Sequence, residues 1–237
     1  MFNKNLRLMV VGSSQCGKST FIKNLLRWKS EVCPGNYNHV IFAAPTLGSS
    51  YLAEEAALME EIRQCAAPAE VHFMDRIPTI SEMTEHIDHS DNRTLVICDD
   101  FGEALWNSVD ISTAVTRLSS HMKTDIVMTN HSCFGSGKYY GSIWKNCNTV
   151  IIFKCLSDAS MSIYLQRKLF PGKKNIIDLA FSKVHEYCGY YGYLVLQYGI
   201  DNPLNHRFLM SCRPLPYRDV QGEWKLQPIY LGWKDGL

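Results

Sequence analysis

The chain has 237 residues, 46% of them hydrophobic, and its 24 Lys and Arg nearly balance its 23 Asp and Glu. That length supports one sizeable core, or a core with an appendage, and the near-neutral charge argues against a protein that coats nucleic acid nonspecifically. The apolar runs are short and strand-like, which predicts no transmembrane helix and no membrane partner, and the nine cysteines form no C-x-x-C pair, so they read as reduced, buried thiols without a zinc site.

In chain order, the first strand is predicted at about Leu6 to Val11, directly before a glycine. STFIKNLLRW then sets Phe21, Leu25 and Trp28 on one helical stripe. HVIFAAP is a buried strand ended by Pro45, and a helix follows from about Ser50 to Cys65 with Leu52, Met59 and Ile62 on its apolar side. VHFM is a short strand, Ser81 to His89 a short helix, and TLVICDD a strand with acids at its C-terminal end. A helical stretch near Ile111 to Ser120 leads into the strand TDIVMTNH, and TVIIFK is the next strand. Alternating strands and helices have the rhythm of a parallel sheet covered on both faces.

After residue 155 the pattern changes. DASMSIYLQRKLF is a helix stopped by Pro171-Gly172, and NIIDLAFSKVHEYC is another with Ile177, Phe181 and Val184 on one side. YGYLVLQYG and HRFLMSC alternate like two strands joined by IDNPLN and are expected as an antiparallel edge. The tail from Pro214 is rich in Pro, Tyr, Trp and Gly and receives no assignment. The expectation is an α/β, three-layer P-loop NTPase fold with a mostly parallel central sheet and a C-terminal antiparallel edge. It forms a single domain over 1–237, with 156–237 as a helical and hairpin extension.

Gly12 to Ser19 matches G-x-x-x-x-G-K-[ST] between a strand and an amphipathic helix. Gly12, Ser13, Ser14, Gln15, Cys16, Gly17, Lys18, Ser19 and Thr20 are therefore the expected nucleotide-binding residues. Glycines let the backbone turn tightly against phosphates, Lys18 reaches the β- and γ-phosphates, and Ser19 offers its hydroxyl to Mg²⁺. The helix that starts here turns its free N–H groups toward the anion. Chance would produce this pattern in roughly one chain in a hundred of this length. A cleaved signal peptide would remove half of this unit, so none is expected.

The second half of such a site is an acid at the tip of another buried strand, and LVICDD supplies Asp99 and Asp100. Asp99 is assigned to Mg²⁺ and Asp100 to the attacking water, with the order of the two left open. No N/T-K-x-D tetrapeptide is present for guanine selection, which favours ATP over GTP. The strand after it ends in Thr129-Asn130-His131. Its tip is expected beside the acidic strand, near the γ-phosphate. Asn130 and His131 point to opposite sides of an extended strand, so only one of them serves the phosphate directly.

The set GSSQCGKST, HVIFAAPT, TLVICDDFG, TDIVMTNHSCFG and TVIIFKCLSDA resembles the genome-packaging ATPases of poxviruses, of related large DNA viruses and of virus-like transposons, within the FtsK/HerA class of P-loop ATPases. The resemblance covers roughly residues 6 to 200. It implies a homo-oligomeric ring motor, hexameric in the family, that hydrolyses ATP with Mg²⁺ to push double-stranded DNA into a preformed capsid. A capsid protein is then a further partner, and the setting is the infected host cell or the virion. The nucleotide-loop residues carry over to Gly12, Gly17, Lys18 and Ser19, and the acids to Asp99 and Asp100. The family commonly has Gln where His131 stands. It also carries Gly-Arg-His before that strand, where this chain has Ser119-Ser120-His121. Arg117 is the substitute candidate for an arginine acting in a neighbouring subunit's site; a plain surface arginine is the alternative.

Two basic regions are candidates for DNA contact. FGSGKYYGSIWK, with Lys138, Tyr139, Tyr140 and Lys145, reads either as a pore loop touching phosphates or as aromatics packed on the rim of the domain. Arg167, Lys168, Lys173 and Lys174 form a second cluster, which a solvated helix end explains. On the residues alone, a P-loop small-molecule or polynucleotide kinase and a nucleotide-regulated assembly protein with little turnover remain alternatives.

Overall fold

The computed structural model describes residues 2, 5–33, 36–48, 52–85, 92–118, 123–153, 159–170, 172, 175–189, 192–198, 208–212, 217–218, 221, 223–225 and 229–234. The strands are β1 (Arg7–Val11), β2 (Asn36–Ala43), β3 (Glu70–Met74), β4 (Asn92–Cys98), β5 (Thr124–Asn130), β6 (Thr149–Phe153), β7 (Tyr193–Tyr198), β8 (Phe208–Cys212), β9 (Tyr217–Arg218), β10 (Trp224–Lys225) and β11 (Ile229–Lys234). A nine-stranded sheet runs in the order β11-β8-β7-β6-β1-β5-β4-β2-β3, and β9 pairs with β10 separately. From β3 to β6 the neighbours are parallel; β6-β7, β7-β8 and β8-β11 are antiparallel. The predicted mostly parallel sheet with an antiparallel C-terminal edge is what forms, and β11 adds an edge strand from the tail that had no assignment.

The helices are α1 (Lys18–Arg27), α2 (Lys29–Val32), α3 (Leu52–Ala66), α4 (Ile80–Thr84), α5 (Glu103–Asn107), α6 (Val109–Thr113), α7 (Tyr140–Asn146), α8 (Ala159–Leu169) and α9 (Ile176–Cys188). Side chains of β1 alternate across the sheet, as a period of two requires. Leu8 and Val10 join Phe21, Leu25 and Ile62 of α1 and α3 on one face. Met9 and Val11 join Trp106, Val115, Trp144, Leu165 and Phe181 on the other. Helices therefore cover both faces, and β5, in the middle, is buried along its whole length.

The helical stretch near Ile111 to Ser120 proves to be α6 followed by a π-helical turn, Ala114–Leu118. Ser119, Ser120 and His121 lie outside the described residues, as do Lys173, Lys174 and the IDNPLN connection. The FGSGKYYGSIWK segment is a packed element in its aromatic part. Trp144 is buried, the Tyr140 ring meets Trp106 edge-on at 5.1 Å, and the Tyr140 hydroxyl donates to the Cys133 carbonyl at 2.6 Å. Lys138 and Lys145 are exposed and Tyr139 is partly so, with the Lys138 ammonium 5.1 Å from the Tyr139 ring centroid.

At the N-terminal ends of the central strands, one buried carboxylate ties four of them together. Asp125 of β5, fully buried, accepts from the Leu6 N–H before β1 at 2.7 Å, from the Tyr37 hydroxyl of β2, and from Arg93 of β4 at 2.9 Å (Nε) and 2.6 Å (Nη2). Burying a charge is costly unless it is paired and hydrogen-bonded, and both conditions are met.

Candidate active site

The phosphate loop leaves β1 at the sheet's C-terminal end and closes into α1 at Lys18. Two glycines are demanded by its shape. Gly17 has φ 110°, a left-handed conformation that L side chains rarely adopt. A Cβ on Gly12 would stand 2.5 Å from Cys16 Sγ and 2.8 Å from Phe153 Cβ. Phe153, at the end of β6, is the floor of the loop, and its ring leans on Tyr193 at 5.1 Å, which in turn meets Phe21 at 5.2 Å. Ser14, Gln15, Ser19 and Thr20 are exposed, Ser13 and Cys16 partly so, and Lys18 is buried.

The Lys18 ammonium donates to the carbonyls of Gly12 at 2.7 Å and Ser13 at 3.0 Å. Those bonds hold the Lys18 Nζ against the loop backbone and satisfy donors that burial would otherwise leave unpaired. Its third neighbour is Nδ1 of His131, at 3.4 Å.

The sheet order explains how His131 arrives there. β5 lies between β1 and β4, so the tip of β5 stands between the phosphate loop and the two acids. Asp99 continues the ladder, its N–H donating to the Ala43 carbonyl at 2.8 Å. Asp100 then turns at φ 58°. Thr129 fixes both: its hydroxyl donates to Asp99 Oδ1 at 2.5 Å and accepts from the Asp100 N–H at 2.9 Å. Asn130 accepts from the His131 N–H at 2.7 Å and donates to the Gly102 carbonyl at 3.1 Å, so its amide is committed to the turns around the acids. His131 reaches the site itself, with Nε2 at 2.9 and 3.0 Å from the Asp100 carboxylate oxygens.

Burial pushes the Asp99 carboxyl above its ordinary pKa. The Thr129 hydroxyl, Lys18 and His131 oppose this, while the Asp100 charge adds to it. A group held in that way gains from a cation placed beside it. Ser19, Asp99 and Asp100 line one cleft of ≈ 210 Å³, together with Lys23, Thr46 and the apolar Ile22, Phe42 and Leu58. A hydroxyl and carboxylates are the oxygen donors that Mg²⁺ prefers, so this donor set fits that ion.

Arg117 is exposed, on the segment that leads into the N-terminal end of β5. The phosphate loop leaves the opposite end of the parallel neighbour β1, and the five residues of β1 separate those ends by roughly 13 Å. Arg117 is thus not gathered with the other site residues of its own chain. Sequence reasoning missed the parts played by Thr129, which it quoted only as part of a strand tip, and Phe153; the signal for each is its place at the end of a strand flanking β1.

A family model described as Poxvirus A32 protein matches residues 1–180. The chain belongs to the poxvirus A32 protein family. As a member of that family it is a P-loop ATPase of the genome-packaging class, as the resemblance in its sequence implied. Among solved structures, it is similar to the genome packaging NTPase B204 of Sulfolobus turreted icosahedral virus 2. In complex with AMPPCP, B204 is 16% identical, with 82% of this chain and 93% of that one covered and a TM-score of 0.49. In complex with ATP-gammaS the figures are 13%, 83%, 93% and 0.48. The cytoplasmic domain of EssC is 20% identical, with 68% of this chain and 33% of that one covered and a TM-score of 0.46. These likenesses are distant, and the assignment rests on the family match. No curated protein matches the chain.

Proposed function

We propose that this poxvirus A32 family member is an ATP-driven motor that translocates double-stranded viral DNA into a preformed capsid, working as a ring of identical subunits in the infected cell. The observation that carries the ATPase part is the chain of contacts from Lys18 through His131 to Asp100, with Asp99 held alongside by Thr129. Family membership supports the packaging part. The whole of 1–237 acts as one unit, and the sheet continuing from β3 to β11 supports this.

In this reading the free N–H groups of the loop and the α1 N-terminus cradle the phosphates, and Lys18 carries charge to the β- and γ-phosphates. Ser19 and Asp99 hold Mg²⁺, which when bound neutralises phosphate charge. Asp100 accepts a proton from the attacking water, and His131 orients the Asp100 carboxylate while sensing the position of Lys18. Arg117 of one subunit supplies charge to the site of the next.

The test is ATP turnover by the purified chain with and without double-stranded DNA, alongside Lys18→Ala. The expected result is DNA-stimulated release of phosphate that vanishes in the folded Lys18→Ala variant, which also binds ATP weakly. Stoichiometric transfer of the γ-phosphate to an acceptor, or turnover indifferent to DNA, would overturn the motor.

A further inference from the structure

His39, Glu70 and His72 come together on the outer edge of the sheet, away from the nucleotide cleft. His39 and Glu70 are register partners in the parallel β2–β3 pair, and His72 follows Glu70 by two residues. Paired residues and residues two apart share a face, so all three side chains stand on one side of the sheet. Nδ1 of His39 lies 3.6 Å from one Glu70 oxygen, and Nε2 of His72 lies 3.8 Å from the other. The imidazoles stack with centroids 5.8 Å apart and planes at 29°. One donor atom from each residue lies within 4.8 Å of the others.

Both nitrogen–oxygen separations are too long for hydrogen bonds, so the carboxylate stands between the rings without bonding to either of these nitrogens. The two nitrogens are shielded from solvent, whereas Glu70 is 66% exposed. Two imidazole nitrogens and a carboxylate around one point, closed below and open on the carboxylate side, form a ligand set with an entry path.

We propose that His39, Glu70 and His72 bind a divalent transition-metal ion of the zinc type. Zinc takes nitrogen at about 2.0–2.1 Å and carboxylate oxygen at about 2.0–2.2 Å, which sets tetrahedral ligands roughly 3.4 Å apart. The observed 3.6 and 3.8 Å are close to that spacing. A separation at the 4.8 Å limit needs roughly 1.4 Å of closure, which side-chain rotation supplies. Imidazole donors select zinc over magnesium, so the site does not compete for the ion of the nucleotide cleft. Three protein ligands leave a fourth position for water. The ion joins β3, at one end of the sheet order, to β2 and secures an edge that backbone pairing holds from one side only.

The experiment is calorimetric titration of ZnCl2 into the purified chain with MgCl2 in excess, repeated with CoCl2 by visible absorption. Zinc is expected to bind at a single equivalent and to raise the Tm, and cobalt to give the d–d bands of a four-coordinate nitrogen–oxygen site. Glu70→Gln, at an exposed position that keeps its shape, should weaken binding about tenfold or more. His72→Asn with His39→Asn should abolish both the binding and the Tm rise. Absence of zinc binding to the wild type would overturn the proposal. So would affinity, Tm rise and cobalt spectrum that persist unchanged in Glu70→Gln and in the folded double variant, because the metal would then sit elsewhere in the chain.

Discussion

The His131 ring links the phosphate-loop lysine to the second acid: its Nε2 lies 2.9 Å from one Asp100 oxygen, and its Nδ1 lies 3.4 Å from the Lys18 ammonium. Through its two ring nitrogens one side chain holds the Asp100 carboxylate and the Lys18 ammonium in a fixed relation. His131→Ala should therefore lower kcat by about 10²-fold while ATP affinity changes little. His131→Gln, the residue the family commonly has at this place, should retain most of the turnover. Steady-state kinetics alongside nucleotide titration distinguish the two. Full activity in the alanine variant would remove His131 from the mechanism.

The two acids should separate by function. Asp100→Asn keeps shape but not basicity, and should leave Mg-ATP bound while slowing hydrolysis by about 10² to 10⁴. Asp99→Asn should instead weaken Mg²⁺-dependent binding. The opposite pattern would exchange their roles.

Asp99→Asn should also stabilise the nucleotide-free fold. Because burial raises the folded pKa of Asp99 above its unfolded value, its favourable contribution is fully present below the unfolded value of about 3.9 and is lost as pH rises through the folded pKa. The Tm advantage of Asp99→Asn over wild type should accordingly be absent near the bottom of that range, grow with rising pH, and level off once Asp99 is ionised. An advantage that did not vary with pH would point to a packing effect.

Arg117 is tested by mixing. Arg117→Ala should bind ATP, form rings and hydrolyse poorly, since an arginine supplied by a neighbour is worth about 10³ or more in other P-loop enzymes. Adding Asp100→Asn subunits, which keep Arg117, should restore some turnover at mixed interfaces. If mixed rings form at every ratio and no activity returns, Arg117 is an ordinary surface residue.

Asp125→Ala should destabilise the fold by about 3–5 kcal/mol, the usual result of stripping one partner from a buried ion pair. Tyr37→Phe should cost about 1.5–3 kcal/mol, one hydrogen bond to a charged group. Urea unfolding with unchanged m-values measures both. A loss below about 1 kcal/mol for Asp125→Ala would mean that Arg93 finds water instead.

The sequence by itself determined the phosphate loop, the acidic strand tip and the alternation of strands and helices. Each is a local pattern: a glycine spacing, a run of apolar residues ending in carboxylates, a period of two or of 3.6. It also carried the antiparallel edge, because the alternation in YGYLVLQYG and HRFLMSC survives without long-range information. Which of Asn130 and His131 meets the acids was not legible, since both are polar and adjacent; the Gly102 carbonyl, brought in by the turn after β4, claims the asparagine. Thr129 showed only its place near the end of a strand, because its two bonds exist only once β5 lies beside β4. Asp125 read as one polar residue in a hydrophobic strand, yet its partners come from three other strands, the nearest in sequence 32 residues away. The tertiary structure decided these roles for one physical reason. A buried polar group takes its meaning from what lies across the sheet from it, and strand order is not written in any one strand.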